Sequence, residues 1–176
     1  AVYPSAISLP GNTVNVSIEV LYSPGGFALQ ALGRNVNISW NALENLYGFQ
    51  HYVLYRNSEI YQQLTTPGFL DANLPNGLYT YSLGAVYSFG ATELSQAEPI
   101  NIQVTETPQN LQASATDNSV TLTWDAASDT GYLETYKLYH NGELISSSAQ
   151  SPYTVNELPN GEHSFYLVAA YSFADS

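Results

Sequence analysis

An internal repeat of 84 residues constrains this chain more than any other feature. Shifted by that distance, the sequence aligns on itself without a gap. Trp40 falls on Trp124, and Tyr52, Leu54, Tyr55, Asn57 and Glu59 fall on Tyr136, Leu138, Tyr139, Asn141 and Glu143. Leu74-Pro75-Asn76-Gly77 falls on Leu158-Pro159-Asn160-Gly161, and Leu83, Ala85, Tyr87, Ser88 and Phe89 fall on Leu167, Ala169, Tyr171, Ser172 and Phe173. One ungapped register of this length means copies of one unit in tandem, not a single large domain. The register also runs backwards. Ala1-Val2-Tyr3 matches Ala85-Val86-Tyr87, and Val16, Ile18 and Val20 match Ile100, Ile102 and Val104. The chain therefore divides into residues 1–23, the terminal strand of a preceding module; residues 24–107, a complete module; and residues 108–176, a second module lacking its last strand.

Within each period the apolar residues alternate with a period of two, the sign of half-buried strands. Val36, Ile38 and Trp40 alternate with polar positions, as do Val120, Leu122 and Trp124. Tyr79, Tyr81, Leu83 and Ala85 do the same, mirrored by His163, Phe165, Leu167 and Ala169. Turn residues separate the runs: Asn57-Ser58, Asn141-Gly142, and the two Pro-Asn-Gly segments. Gly25-Gly26, after Pro24, reads as a flexible joint. The expected fold class is all-β, about seven short strands per period packed as a two-sheet sandwich.

The motifs Val-x-Ile/Leu-x-Trp at 36–40 and 120–124, Tyr-x-Leu-Tyr-x-Asn at 52–57 and 136–141, and Leu-Pro-Asn-Gly before the alternating 79–85 run resemble those of fibronectin type III modules. The form is the one found in tandem arrays of secreted bacterial proteins. This resemblance implies tandem immunoglobulin-like β-sandwiches in an extracellular or cell-surface protein. It puts Tyr79 at the family's tyrosine corner, whose hydroxyl bonds back to the backbone. His163 stands at that position in the second module and leaves the corner there open. No Arg-Gly-Asp adhesion motif occurs, and fold alone does not give function.

Charge and composition exclude several classes. Fifteen acidic side chains against three basic ones leave a formal charge of −12, which repels nucleic acid and anionic membrane surfaces. No apolar run reaches the roughly 20 residues of a membrane helix. There is no Cys, so no disulfide, thiolate metal site or cysteine nucleophile, and the absence of Met suits a processed chain. No His-Glu-x-x-His, Gly-x-Ser-x-Gly or phosphate-cradling glycine loop is present, so no catalytic residue, metal site or cofactor is expected. His51, His140 and His163 fall on separate elements. Asp125 and Asp129 share a loop with the oxygen chemistry Ca²⁺ takes, but read better as solvated carboxylates. Asn15-Val16-Ser17 and Asn37-Ile38-Ser39 match the glycosylation sequon and read as structural. Tyr55 and Tyr139 lie on the strand faces opposite the core residues beside them. They form the one weak candidate for a glycan platform, with a polysaccharide as partner, against a bland reading as cross-strand packing.

The unmatched ends are the sharpest clue. Val14, Val16, Ile18 and Val20 face one side of an amphipathic strand with no module of its own, and the second module stops before the counterpart of Ile100–Val104. Three or four large aliphatic side chains withheld from a core cost roughly 1.5–3 kcal/mol each, against a small domain's whole stability of about 5–15 kcal/mol. One expectation is therefore head-to-tail self-association. Val14, Val16, Ile18 and Val20 would be the donor strand, and Phe165, Leu167, Ala169 and Tyr171 the acceptor strand of a neighbouring chain. Equally weighted is a fragment of a longer covalent array, its neighbours being modules of the same polypeptide. Function is accordingly expected to be structural and non-enzymatic, a tandem-module stalk, adhesive spacer or filament subunit. The alternative is an accessory spacer or carbohydrate-binding pair within a larger secreted enzyme or adhesin.

Overall fold

The computed structural model describes residues 14–176; the match of Ala1-Val2-Tyr3 to the repeat lies outside the described residues. The first module has eight strands: β1 (Ala28–Leu32), β2 (Asn35–Ser39), β3 (Phe49–Arg56), β4 (Glu59–Leu64), β5 (Phe69–Asp71), β6 (Gly77–Tyr87), β7 (Gly90–Ala91) and β8 (Glu98–Ile102). The second has β9 (Gln109–Thr116), β10 (Ser119–Asp125), β11 (Leu133–His140), β12 (Glu143–Ala149), β13 (Tyr153–Val155) and β14 (Phe165–Tyr171). No helix is assigned among the described residues. One sheet of the first module runs β1-β2-β5; the other runs β4-β3-β6, with β7 and β8 both on the far edge of β6. The second module repeats this as β9-β10-β13 and β12-β11-β14.

The repeat holds down to backbone irregularities. β3 slips its register against β6 between Phe49 and His51, and β11 slips against β14 between Leu133 and Thr135, 84 residues on. Asn57 and Asn141 both take a left-handed φ, of 52° and 48°. Each accepts a hydrogen bond through its side-chain oxygen, from the Thr80 N–H at 3.0 Å and the Ser164 N–H at 2.9 Å. Asn tolerates that backbone region because its short amide bonds locally, which is why both copies keep it.

Inward alternation builds the cores. In the first module Val36, Ile38, Trp40, Tyr52, Leu54, Leu74, Tyr81, Leu83, Ala85, Tyr87 and Ile102 pack together. In the second the buried set is Leu122, Trp124, Leu138, Ala149 and Leu167. Trp40 meets Tyr52 edge-on at 5.4 Å and 70°, and Trp124 meets Tyr136 at 6.0 Å and 72°, a favoured aromatic geometry.

One expectation needs correction. Gly25-Gly26 is not a free joint. The Gly25 carbonyl accepts from the Asn41 N–H at 2.8 Å, and a Cβ on Gly26 would sit 2.7 Å from the Asn41 amide nitrogen. Residues 14–20 carry the strand pattern but pair with nothing among the described residues and are assigned to no strand. Val14, Val16 and Ile18 are 80–81% exposed. The following residues are held on the module: the Tyr87 hydroxyl donates to the Tyr22 carbonyl at 3.0 Å, and Leu21 lies over Gly90.

Candidate functional site

Two places in the fold bear on the candidate residues: the junction between the modules, and one edge of the second.

The junction is centred on Asn76, in the Leu-Pro-Asn-Gly loop before β6. Its amide clamps the connecting segment on both sides. The Val104 N–H donates to Asn76 Oδ1 at 2.7 Å, and Asn76 Nδ2 donates to the Val104 carbonyl at 2.8 Å and to the Gly131 carbonyl at 3.1 Å. The Asn76 backbone N–H donates to Asp129 Oδ2 at 2.7 Å. Gly131 has to be glycine here, since a Cβ would fall 2.6 Å from the Asn76 carbonyl oxygen. Around this clamp, Arg34 from the β1–β2 turn pairs with Glu106 of the connecting segment at 2.7 Å and with Asp129 of the β10–β11 loop. Glu106 Oε2 also accepts from the Ser128 hydroxyl at 2.8 Å, and the Tyr171 hydroxyl accepts from the Glu106 N–H at 3.1 Å.

These contacts decide the ionisation of the cluster. Burial alone would raise the Asp129 carboxyl. The Asn76 N–H, the Arg34 guanidinium and the Gly131 N–H outweigh it and hold the group below the usual carboxylate range. Burial likewise opposes Glu106, and the Ser128 hydroxyl, the Asp129 N–H and Arg34 hold it low. The Arg34 guanidinium is raised, chiefly by its bond to Asp129. The charges of the cluster are met by partners on other segments, so it ties the two modules together.

The second place is the edge of β14. Along β6, Thr80 bonds to the neighbouring strand side at Asn57, so Tyr79 and Tyr81 turn their backbone groups to the opposite edge. There β8 lies, with Ile102 opposite Gly77, Ile100 opposite Tyr79 and Glu98 opposite Tyr81. Further along, the Ser95 N–H donates to the Leu83 carbonyl at 2.8 Å and the Thr92 N–H to the Ala85 carbonyl at 2.9 Å. Among the described residues, the second module has only the last part of this cover. The Ser176 N–H donates to the Ala169 carbonyl at 2.9 Å and the Tyr171 N–H to the Ala174 carbonyl at 2.8 Å. Of the four expected acceptor residues, Ala169 and Tyr171 are thus met within the chain, while Phe165 and Leu167 are on the open edge. The uncovered stretch extends the other way, to Gly161 and His163. β6 begins at Gly77 but β14 begins only at Phe165, four residues later in the repeat. The groove left beside it is lined by Ala115, Val120, Leu158, Pro159, Gly161 and His163. It is the counterpart of the space where Ile102, fully buried, sits in the first module.

The tyrosine corner is present twice. The Tyr79 hydroxyl donates to the Pro75 carbonyl at 3.0 Å. His163 Nε2 lies 2.9 Å from the Pro159 carbonyl and donates to it, so a neutral His163 accepts at Nδ1 from His140 Nε2 at 2.9 Å. His140 and His163, on separate elements, therefore meet, while His51 stands apart. Asp125 accepts from Asn110 Nδ2 at 2.6 Å and Asp129 is held by Arg34, so the two do not converge. No group of three metal-ligating side chains occurs among the described residues. Tyr139 is stacked face to face on Tyr166 at 4.5 Å and 6°. Tyr55 lies opposite Ser82, so no aromatic pair is formed there.

Sequence reasoning missed the Arg34–Glu106–Asp129 cluster. A signal was available. In the repeat these positions align with Asn118, Tyr22 and Asn45, so three charges appear together where the other register is neutral. It also missed the buried Asp71, which accepts from the Tyr81 hydroxyl at 2.7 Å, the Tyr61 hydroxyl at 2.8 Å and Arg56 at 2.9 Å. The repeat replaces those four with Val155, Phe165, Ile145 and His140.

Comparison with known proteins agrees with this architecture. Residues 98–166 match the family model described as a bacterial Ig domain. No curated protein matches the chain. Among solved structures, a two-fibronectin-type-III-domain segment of chicken tenascin is similar with a TM-score of 0.52 at 13% identity, covering 88% of this chain and 95% of that one. The FN1–FN3 domains of chicken CNTN1 are similar with a TM-score of 0.39 at 16% identity, over 86% of this chain, which spans 62% of that one. The fibronectin(III)-like modules of Clostridium thermocellum CbhA give 0.37 at 20% identity, over 82% and 81%. The chain has the fold of a tandem of fibronectin type III-like β-sandwiches.

Proposed function

We propose that the chain is a non-enzymatic length of a secreted or cell-surface structural array, in which modules are joined end to end and complete one another's sheets by strand addition. The observation that carries this reading is the match between one strand and one vacancy. Val16, Ile18 and Val20 stand in the repeat where Ile100, Ile102 and Val104 stand, and the edge from Gly161 to Leu167 is uncovered where β8 covers its counterpart. Transferring the β8 register places Val14 opposite Phe165, Val16 opposite His163 and Ile18 opposite Gly161, with the Ile18 side chain in the groove beside Val120 and Leu158. Backbone pairing supplies affinity in such an addition, and the alternate side chains supply register. A contact between unlike ends does not close, so copies add in a line. The tight junction suits a spacer that must keep its length.

Sedimentation velocity over a concentration series tests this. Linear oligomers that lengthen with concentration are expected, and Val16→Asp with Ile18→Asp should leave monomers. A double Asp variant that associates as the parent does would overturn the reading, as would a parent chain that stays monomeric throughout.

A further inference from the structure

We infer that a groove at the other end of the chain, lined by Ile18, Val20, Tyr22, Asn45 and Tyr47, is the seat for the Leu158-Pro159-Asn160-Gly161 loop of a second copy, whose Asn160 clamps Val20. The inference rests on the strand-addition reading and adds a second, separate contact to it.

The internal junction shows what fills such a groove. Asn76 bonds to both backbone groups of Val104, to the Gly131 carbonyl, and through its own N–H to Asp129, while Glu106 lies alongside. Moved back by one repeat, Val104, Glu106, Asp129 and Gly131 become Val20, Tyr22, Asn45 and Tyr47. These are four of the five residues that line the groove. The loop that would enter has the same sequence as its counterpart, Leu-Pro-Asn-Gly. It borders the vacant edge of the second module, so a donor strand lying against that edge brings Val20 to Asn160 in the same step. The local turn is also preserved: the Tyr47 N–H donates to Asn45 Oδ1 at 2.9 Å, as the Gly131 N–H donates to Asp129 Oδ1 at 2.9 Å. Tyr47 is the one steric departure. A Cβ at the position of Gly131 would fall 2.6 Å from the Asn76 carbonyl oxygen whichever rotamer follows it, so the Asn160 loop has to stand back from Tyr47, keeping the two bonds to Val20 and giving up the one that the Gly131 carbonyl accepts from Asn76.

The two junctions differ in charge. Arg34, Glu106 and Asp129 are replaced by Asn118, Tyr22 and Asn45. The joint between copies thus has the amide clamp without the ion pairs. Its strength should not fall with salt. Screening of the −12 charge on each copy should instead favour it.

Two variants of the full chain test this, read by light scattering from 50 mM to 500 mM salt. Asn160→Ala removes two hydrogen bonds and should weaken self-association about tenfold, with the second module's melting unchanged. Asn118→Arg with Tyr22→Glu and Asn45→Asp rebuilds the ionic cluster between copies. It should strengthen association at low salt and make association decline as salt rises. If Asn160→Ala associates as the parent does and the triple variant gains no salt sensitivity, the clamp is overturned while strand addition stands. If Val16→Asp with Ile18→Asp also associates as the parent does, strand addition itself has failed.

Discussion

The two modules share one fold in one register, yet the same positions are buried in one and half-open in the other. Tyr81, Val36, Leu74 and Tyr52 are buried; their counterparts Phe165, Val120, Leu158 and Tyr136 are not. The strands that carry them are the same, so the difference lies in what covers them. β8 closes the first core with Ile102, and no equivalent is present in the second among the described residues. β8 thus seals the first core as well as making its own contacts, and the strands of the second module keep the same topology with less burial where no such cover is present among the described residues.

Truncating Ile102 should break the comparison most sharply. Ile102→Ala is expected to destabilise the first module by about 2–5 kcal/mol and leave the second unaffected. Each module holds one of the two tryptophans, so denaturation followed with Trp40→Phe or Trp124→Phe backgrounds separates them. Ile18→Ala, at the matching but exposed position, should change neither transition by more than about 0.5 kcal/mol in dilute monomer.

Asp71 should come next. Asp71→Ala strands Arg56 and two phenols and is expected to cost about 2–3 kcal/mol, in the first module only. The same network makes that module alkali-sensitive. Burial, followed by the bond to Asp71, raises the Tyr81 phenol well above its ordinary value. The neutral form is thus favoured in the fold. The stabilisation is complete below the ordinary tyrosine pKa of about 10 and is lost as pH rises beyond it. Tyr81→Phe should remove part of this alkaline loss, measurable as melting temperature against pH.

The corners should weigh less and nearly alike. Tyr79→Phe and His163→Ala are each expected to cost about 1 kcal/mol in their own module, and His163→Tyr should restore the second.

Arg34→Ala should have the smallest effect on melting, about 1 kcal/mol or less, and show instead as a broader distribution of end-to-end distances in solution scattering. Acid should do the same. Glu106 and Asp129 have lowered folded pKa values, so their contribution is present above the ordinary carboxylate range of about 4 and is lost as pH falls through the lowered values.

The sequence shows the fold well because the repeat doubles every signal. Most strands and turns are recorded twice, and Tyr79 declares its corner through a motif. The same reasoning did less well where the copies differ. His163 keeps the corner because an imidazole N–H can reach the carbonyl a phenol reaches, which residue type alone does not reveal. Asp71 is invisible to alternation, since a buried carboxylate between apolar positions looks like an outward one. The junction cluster is formed by three segments far apart in sequence, and only its charges, gathered in one register, mark it. Gly25-Gly26 misled because glycine signals freedom or a tight turn, and packing against Asn41 decides between them.

Amide hydrogen exchange at Tyr79, Tyr81, His163 and Phe165 tests the central claim most directly. In dilute chain Tyr79 and Tyr81, facing β8, should be strongly protected, and His163 and Phe165 should exchange rapidly. Adding a peptide of residues 14–23 should protect His163 and Phe165. Equal protection of the two pairs in dilute chain, or no change at His163 and Phe165 with saturating peptide, would contradict a second module whose edge stands open for a strand of this kind.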